Sequence, residues 1–453
     1  MSNPGNDGGG PKGPGKGRGR GPGGRPDGKP NNRAGGRNAS RPSSGRPGRP
    51  NVKQDNRFAT RKDKSFTPHV DTVTPIYQLT NTYFAQIAGG MEELGARELE
   101  SLGATDLNII NRGLDFKADQ ETLMRINYRS RLVTRVLAPI HKFRAENAEA
   151  LYLETKRIDW TNIFKLDQTF AVFANVSYSN IDHSQFAALK VKDSVVDMFR
   201  RRFRQQRPNI DAHDPDLWIA LHIHENEATL SIDCSGGSLH KRGYRQKSFE
   251  APMQETLAAA ILDISGWDGK KKLYDPMCGS GTLLSEAWLK AGNIPAQTLR
   301  KKFGFMMLPD YDRRVWVKVK FEEENKIKMV RGGLIRGSDI DPRAVKLTRE
   351  NNARLPAGDE LIVKTADFRD LPAMDNHLIV CNPPYGVRLM KDEDMAAFYK
   401  EFGDFLKQKC KGSQAYVYFG NRELVGSLGL KASMKMPIRN GGLDGRLVWY
   451  ELY

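Results

Sequence analysis

Between Lys272 and Lys290 the chain runs from a short apolar strand through Asp275 and Pro276, turns at Gly279 and Gly281, and enters an apolar helix at Thr282. A strand that passes through a glycine turn into a helix begins a crossover unit, and such units lay their strands side by side in a parallel sheet. The alternation continues with strands at Leu334–Ser338, Leu361–Thr365, His377–Cys381 and Ala415–Phe419. Helices are expected at Glu255–Ile264, from Pro342 through Asn352 behind an Asp341 cap, and at Met395–Lys407. Two last strands, Lys435–Arg439 and Arg446–Leu452, flank Asn440, Gly441 and Gly442 and predict an antiparallel hairpin. Residues 247–453 are therefore expected to form an α/β domain, mostly parallel, with residues 294–328 inserted outside the sheet.

Upstream, the elements are shorter and mixed. Residues 76–145 read as one α+β unit, with a strand at Tyr83–Ala88, a hairpin about Arg112 and Gly113, and a strand at Leu132–Ile140. Residues 146–246 read as a second α+β unit, with a strand at Thr169–Ser177, a long helix at Ala187–Gln206, and a hairpin about Glu225 and Asn226. That helix carries Lys190, Lys192, Arg200, Arg201, Arg202 and Arg204 away from its apolar face. Such a cluster is either a solvated face with cations at the favourable end of the helix dipole, or a contact for a phosphate backbone, which suits the planar guanidinium. The connector from Leu239 to Lys247 is basic and aromatic, and Arg242, Tyr244 and Arg245 are its candidate substrate contacts.

Charge separates a further segment. Residues 1–70 hold 16 Lys and Arg against 4 Asp, a charge of +12 out of +17 for the whole chain. From Met1 to Pro50 the residues are almost all Gly, Pro, Arg, Asn and Ser, which bury nothing and are expected to remain disordered, so that residues 1–75 form a basic tail. Such a field favours nucleic acid, and arginine-glycine runs such as Gly17 to Arg20 bind RNA loosely or serve only as solubilising tails. No apolar run is long enough to span a membrane and no hydrophobic segment follows the first methionine, so a soluble cytoplasmic protein is expected. The four cysteines form no CxxC pair, and His222 and His224 share a strand face without a third ligand at usable spacing, so neither disulfides nor a metal are expected.

The glycine turn excludes two nucleotide readings. A dinucleotide fingerprint has a third glycine where Leu284 stands, and a P-loop has a lysine where Thr282 follows the last glycine. A close backbone approach to a ligand without pyrophosphate remains, which suits S-adenosylmethionine; a ligand-free strand-to-helix turn would use the same glycines. Asp339 ends a strand where a carboxylate can accept from ribose hydroxyls, and Asp367 follows the next strand, where it can accept from an adenine amine; either acid can equally serve as a cap or loop acid. Asn382, Pro383, Pro384 and Tyr385 follow another strand. An exocyclic aromatic amine is a weak nucleophile, because its lone pair is delocalised into the ring. Acceptors such as the Asn382 amide oxygen and the Pro383 carbonyl fix its two N–H bonds and support the charge developing on nitrogen. Tyr385 offers an aromatic face worth about 1–3 kcal/mol to a stacked base.

These motifs together resemble a known family. DPMCGSGTLLSEAW from Asp275, GSDIDPRA from Gly337, NPPYGVRL from Asn382, APMQETLAAAIL from Ala251 and LHKRGYR from Leu239 are similar to those of the bacterial THUMP-domain RNA guanine-N2-methyltransferases, especially those acting on 23S ribosomal RNA. The resemblance covers Tyr83 to Tyr453. It implies a ferredoxin-like unit and a THUMP unit that dock RNA, followed by a Rossmann-like class I methyltransferase domain. It implies S-adenosylmethionine as cofactor, with Asp275, Pro276, Gly279, Gly281, Thr282, Asp339 and Asp367 at the donor site and Asn382, Pro383, Pro384 and Tyr385 at the target amine. Two alternatives stay open: a transfer RNA guanine-N2 or adenine-N6 methyltransferase, and a non-catalytic RNA-binding assembly factor. The family also includes chains that continue into a second methyltransferase domain.

Overall fold

The computed structural model describes residues 72–247, 252–385 and 392–453, and for residues 392–394 the backbone alone. The tail expected to be disordered lies outside the described residues up to residue 71, as does the segment from Gly386 of the NPPYG motif to residue 391. The described part belongs to one compact unit.

The first elements are α1 (Ile76–Thr80), β1 (Thr82–Gln86), α2 (Glu92–Ser101), β2 (Thr105–Ile110), β3 (Gly113–Lys117), α3 (Gln120–Arg129) and β4 (Arg135–Arg144). They are followed by α4 (Ala148–Thr155), β5 (Thr169–Ser177), α5 (Ser184–Arg202), β6 (Asn209–Ile210), β7 (Leu217–His224) and β8 (Glu227–Asp233). All eight strands share one sheet, in the order β2-β3-β1-β4-β8-β7-β5-β6. The strand that joins the ferredoxin-like and THUMP units is β4. It pairs antiparallel with β1 over Arg135–Leu137 and with β8 over Leu137–Arg144. Alternating burial fixes its register, since Val136, Ala138 and Ile140 are fully covered, and a one-residue slip would put them in water. The hairpin turn between β7 and β8 has both Glu225 and Asn226 at positive φ, the left-handed geometry that matches strand twist.

The remaining elements are α6 (Glu255–Ile264), β9 (Leu273–Asp275), α7 (Thr282–Ala291), α8 (Arg313–Glu324), β10 (Ile335–Asp339), α9 (Pro342–Asn352), β11 (Ile362–Thr365) and β12 (Leu378–Cys381), then α10 (Asp392–Lys409), β13 (Gln414–Phe419), β14 (Met434–Asn440) and β15 (Leu443–Glu451). Their seven-stranded sheet runs β11-β10-β9-β12-β13-β15-β14, parallel from β11 to β13 and antiparallel at β15 and β14. This is the Rossmann-like architecture expected of the C-terminal region. The chain leaves β9 toward β10 on one side and later returns to β12 on the other. The switch opens a crevice beyond the carboxyl ends of these strands, where ligands of open α/β sheets bind. One face of the sheet carries α6, α7 and α9, and its core is continuous with that of the eight-stranded sheet. The other face carries α10, with Tyr399, Phe402 and Leu406 packed on Ile379 and Val417.

The inserted segment adds no strand, but it carries α8 and cements the two halves. Buried Glu323 of α8 accepts from Arg125 Nε at 2.9 Å and Arg129 Nη1 at 3.0 Å, both on α3. Arg300 donates to the carbonyls of Ser235, Gly236 and Ser238 at the exit from β8.

The connector corrects the sequence expectation. Arg242 and Tyr244, expected to contact substrate, are fully buried. Arg242 Nε lies 3.3 Å and Tyr244 Oη 3.1 Å from Glu286 Oε1 on α7, while the other Arg242 nitrogens donate to the carbonyls of Leu239 and Arg131. Arg245 also turns inward, donating to the Met253 carbonyl at 2.9 Å and the Thr282 hydroxyl at 3.2 Å, with Glu255 Oε2 2.7 Å from its guanidinium. A cation in this apolar setting must be paired, and the two carboxylates on α6 and α7 supply the partners. Glu286→Ala leaves the Arg242 charge sealed without its counterion, so a loss of about 3–5 kcal/mol of stability is expected. Urea unfolding measures it, and a variant as stable as the parent contradicts the assignment.

Candidate active site

At the crevice three strand ends converge: Asp275 closes β9, Asp339 closes β10, and Asn382 follows β12. A cleft of about 140 Å³ lies there, lined by Pro252, Met253, Asp275, Met277, Cys278, Gly279, Ser280, Thr282, Leu283 and Asn382. The structure thus brings Asp275, Gly279, Thr282 and Asn382 into one site.

The turn is built by backbone geometry that only glycine adopts readily. Gly279 has φ +55 and Gly281 φ +81, and Gly281 is the residue that opens α7. A Cβ on Gly281 would come within 2.5 Å of the Thr348 methyl, whereas a Cβ on Gly279 would meet nothing within 4 Å. The turn is stitched to β10: Cys278 N–H donates to the Ser338 carbonyl at 3.0 Å, and Gly279 N–H to Asp339 Oδ2 at 2.8 Å. The other Asp339 oxygen accepts from Asp341 N–H at 3.0 Å. Asp339 therefore anchors the turn, and burial raises its carboxyl pKa against these two donors. Pro276 contributes its carbonyl, which lies 3.4 Å from the Ser338 hydroxyl.

Asp275 is fully buried and has one backbone donor, Met277 N–H at 3.1 Å. Burial pushes its carboxyl up to about 8, with the Asp339 charge acting in the same direction. Asp367 is placed differently. It does not line the cleft; its Oδ1 caps a short 3-10 turn by accepting Arg369 N–H at 2.9 Å, and its Oδ2 pairs with the Arg369 guanidinium at 2.8 Å. Of the two roles open to this acid, the structure displays the cap.

Asn382 Oδ1 is buried with no hydrogen-bond partner among the described residues. Burial raises the pKa of the nearby Tyr385 hydroxyl, against the amides of Asn440 and Asn382. Asn382 is one of the residues that line the cleft. A lone buried acceptor costs about 1–3 kcal/mol unless a donor arrives, so it marks a place for an N–H group. The Pro384 carbonyl accepts from Tyr399 Oη at 3.1 Å, which ties the loop to α10. Pro252 and Met253 of the cleft wall come from the APMQET run, whose residue types alone carry no sign of a ligand contact.

The cationic residues of the THUMP unit lie on α5 and just beyond its end, which falls at Arg202, so that Arg204, expected on the helix, follows it. Val191, Val195 and Phe199 face inward, while Lys190 and Lys192 are half-buried and Arg200, Arg201 and Arg204 are exposed. Lys192 pairs with Asp193 and Arg200 with Asp197. Arg201 and Arg204 have no ion pair among the described residues, so their charges are available to a ligand.

Comparison with known proteins agrees with this organisation. Residues 82–137 match the RlmL ferredoxin-like domain, 145–233 the THUMP domain, and 242–448 the RMKL-like methyltransferase domain. A putative RNA methyltransferase from Synechocystis is 39% identical over 83% of this chain and 97% of its own length. The ribosomal RNA large subunit methyltransferase K/L of Photobacterium profundum is 36% identical over 82% of this chain, which spans about half of that relative (53%). Among solved structures, SMU.472, a putative methyltransferase complexed with SAH, superposes with a TM-score of 0.73 at 28% identity, covering 83% of this chain and 98% of its own. A protein from Listeria monocytogenes described as a predicted N6-adenine-specific DNA methylase superposes at 0.72 with 27% identity, covering 83% of this chain and 97% of its own. With its three matched domains in order and a near full-length relative at 39% identity, the chain belongs to the THUMP-domain RNA methyltransferase family.

Proposed function

We propose that this protein transfers a methyl group from S-adenosylmethionine to the exocyclic N2 amine of a guanine in RNA, most plainly in 23S ribosomal RNA, and acts in the cytoplasm. The observation that carries the reading is Asn382, which lines a glycine-built cleft at the sheet's switch point with its Oδ1 buried and without a hydrogen-bond partner among the described residues. The RNA and large-subunit assignment is supported by the matched THUMP domain and by the names of the K/L relatives.

The residues fit the cofactor. Gly279 leaves open space where a side chain would stand, Asp275 offers a carboxyl, and Met253, Met277 and Leu283 give an apolar wall. S-adenosylmethionine supplies an activated methyl group on sulfur. The chain's own work is to place the amine: Asn382 Oδ1 and the Pro383 carbonyl accept its two N–H bonds, and Tyr385 stacks the base. Alignment of a nucleophile within the cleft accounts for much of such a rate enhancement, and no strong base is required. Arg201 and Arg204 hold the RNA backbone by charge.

Adenine N6 is the second reading, favoured by the description of the Listeria structure. Labelled S-adenosylmethionine with ribosomal RNA, transfer RNA or DNA, followed by digestion to nucleosides, separates the two. Label in N2-methylguanosine from ribosomal RNA is expected, and label in adenine overturns the guanine assignment. Asn382→Ala should lower kcat by about 10²–10³-fold with RNA affinity kept. Undiminished methylation in that variant removes the clamp, and unchanged ribosome maturation would favour an assembly factor. Arg201→Ala with Arg204→Ala should flatten the dependence of log affinity on log salt by roughly 0.7 per lost contact on single-stranded RNA.

The Asp275 carboxyl sets a pH dependence. Its folded value of about 8 lies above the ordinary 3.8, so between these the folded state keeps a proton that the unfolded state has released. Its contribution to stability therefore falls as pH rises through that window, by at most about 1.4 kcal/mol per pH unit. Asp275→Asn abolishes this slope. Urea unfolding of the ligand-free proteins at pH 5 and 7.5 should show the variant gaining relative to the parent at the higher pH, and identical pH profiles contradict the assignment.

A further inference from the structure

Two walls of the cleft are held by one side chain of the connector. Arg245 Nη1 donates to the Met253 carbonyl at 2.9 Å and to the Thr282 hydroxyl at 3.2 Å. Met253 lies just ahead of α6, Thr282 is the first residue of α7, and both line the cleft. A guanidinium carries donors alone, so both oxygens are acceptors, and one nitrogen with two N–H bonds serves the pair. Its Nη2 lies 2.7 Å from Glu255 Oε2 at the start of α6, which leaves the charge paired. The next two residues are tied to the glycine turn through Asn351 of α9. Asn351 Oδ1 accepts from Gln246 N–H at 3.3 Å, and its Nδ2 donates to the Lys247 carbonyl at 3.4 Å and to the Ser280 carbonyl at 3.1 Å. Ser280 is a further cleft residue. Residues 245–247 thus reach Met253, Ser280 and Thr282, directly or through one asparagine.

We propose that Arg245 is a positioning residue for the methyl donor: its guanidinium braces the Met253 wall against the Thr282 wall and sets the width of the cleft between them. The inference rests on the reading of this cleft as the donor site and adds what keeps it in shape. Neither Met253 nor Thr282 belongs to a strand, so no sheet ladder fixes their separation. Arg245 itself does not line the cleft and acts on the donor through the two walls. Accepting from Arg245 leaves the Thr282 hydroxyl its own proton and a second lone pair for other partners. Lysine cannot take over the brace, because an ammonium keeps the charge against Glu255 without the planar, fixed spacing of donors. The donor site is thereby assembled in part by the segment that joins the RNA-docking units to the catalytic domain.

Calorimetric titration of the full chain with S-adenosylhomocysteine, without RNA, tests the brace. Arg245→Lys should weaken binding about tenfold, within the range by which contacting residues couple. Thr282→Val removes the hydroxyl that Arg245 holds, and in that background the same change should cost less. With Thr282→Ser, which keeps the hydroxyl, it should cost as much as in the parent. Equal losses in the valine and serine backgrounds, or an affinity unchanged by Arg245→Lys, overturn the proposal. Glu323→Gln weakens a buried ion pair that does not reach the cleft, and should lower stability to urea while leaving the affinity as in the parent. A comparable loss of affinity there means that general loosening suffices, and also overturns the proposal. Gly279→Asn keeps the two readings apart, because asparagine tolerates the left-handed backbone and puts a side chain into the open space beside Gly279. Undiminished binding in that variant rejects the cleft as the donor site, and the brace with it. Binding weakened there but kept by Arg245→Lys rejects the brace alone.

Discussion

A guanidinium sealed from water is stable only if every side of it is met by an acceptor. Arg242 satisfies this with partners from three separate segments: the Leu239 carbonyl of the connector, the Arg131 carbonyl between α3 and β4, and the Glu286 carboxylate of α7. The helix that opens at the glycine turn is thereby bound to the ferredoxin-like unit by one charge. Glu323, buried under Arg125 and Arg129, and Arg300, which gathers the carbonyls of Ser235, Gly236 and Ser238, repeat the device at the inserted segment. The boundary between RNA-docking and methyl-transfer regions is therefore made as a protein interior is made.

The glycine turn shows how the same packing requirement can be met elsewhere in the chain. A dinucleotide-binding turn uses its third glycine to bring helix and sheet close together. Here Leu284 occupies that position, and the missing space is found on the neighbouring strand. A Cβ on Gly337 would lie 2.5 Å from Leu284 Cδ1. The leucine is accommodated because β10 gives way, and the two residues form a matched pair across 53 positions of sequence. The departure from the dinucleotide pattern thus has a local steric meaning as well as a functional one.

Much of this was legible beforehand because the signals were local. The strands Thr169–Ser177, Leu217–His224 and Glu227–Asp233 stand where alternation and turn residues put them. The parallel pairing of β9 to β13 follows the βα alternation, and Asp275, Gly279, Thr282 and Asn382 line one cleft. What was not legible depended on partners far away in sequence. Arg242, Tyr244 and Arg245 look like surface cations and an aromatic in a linker until Glu286 and Glu255 are known to face them. Those two acids, both buried on helices of mostly apolar residues, were the available signal. The continuity of the eight-stranded sheet was hidden for a related reason, since nothing in the sequence of β4 shows that it serves two units at once.

That shared strand has a consequence for substrate choice. Strand pairing links β2 through to β6, and buried charges fasten that sheet to the catalytic one, so the described chain joins its two ends like the jaws of a caliper. One jaw is the cationic end of α5 and the other is the cleft at Asn382. Under the proposed function, an RNA is accepted when its own fold spans that fixed gap, and bringing the target base into place is work done by the nucleic acid.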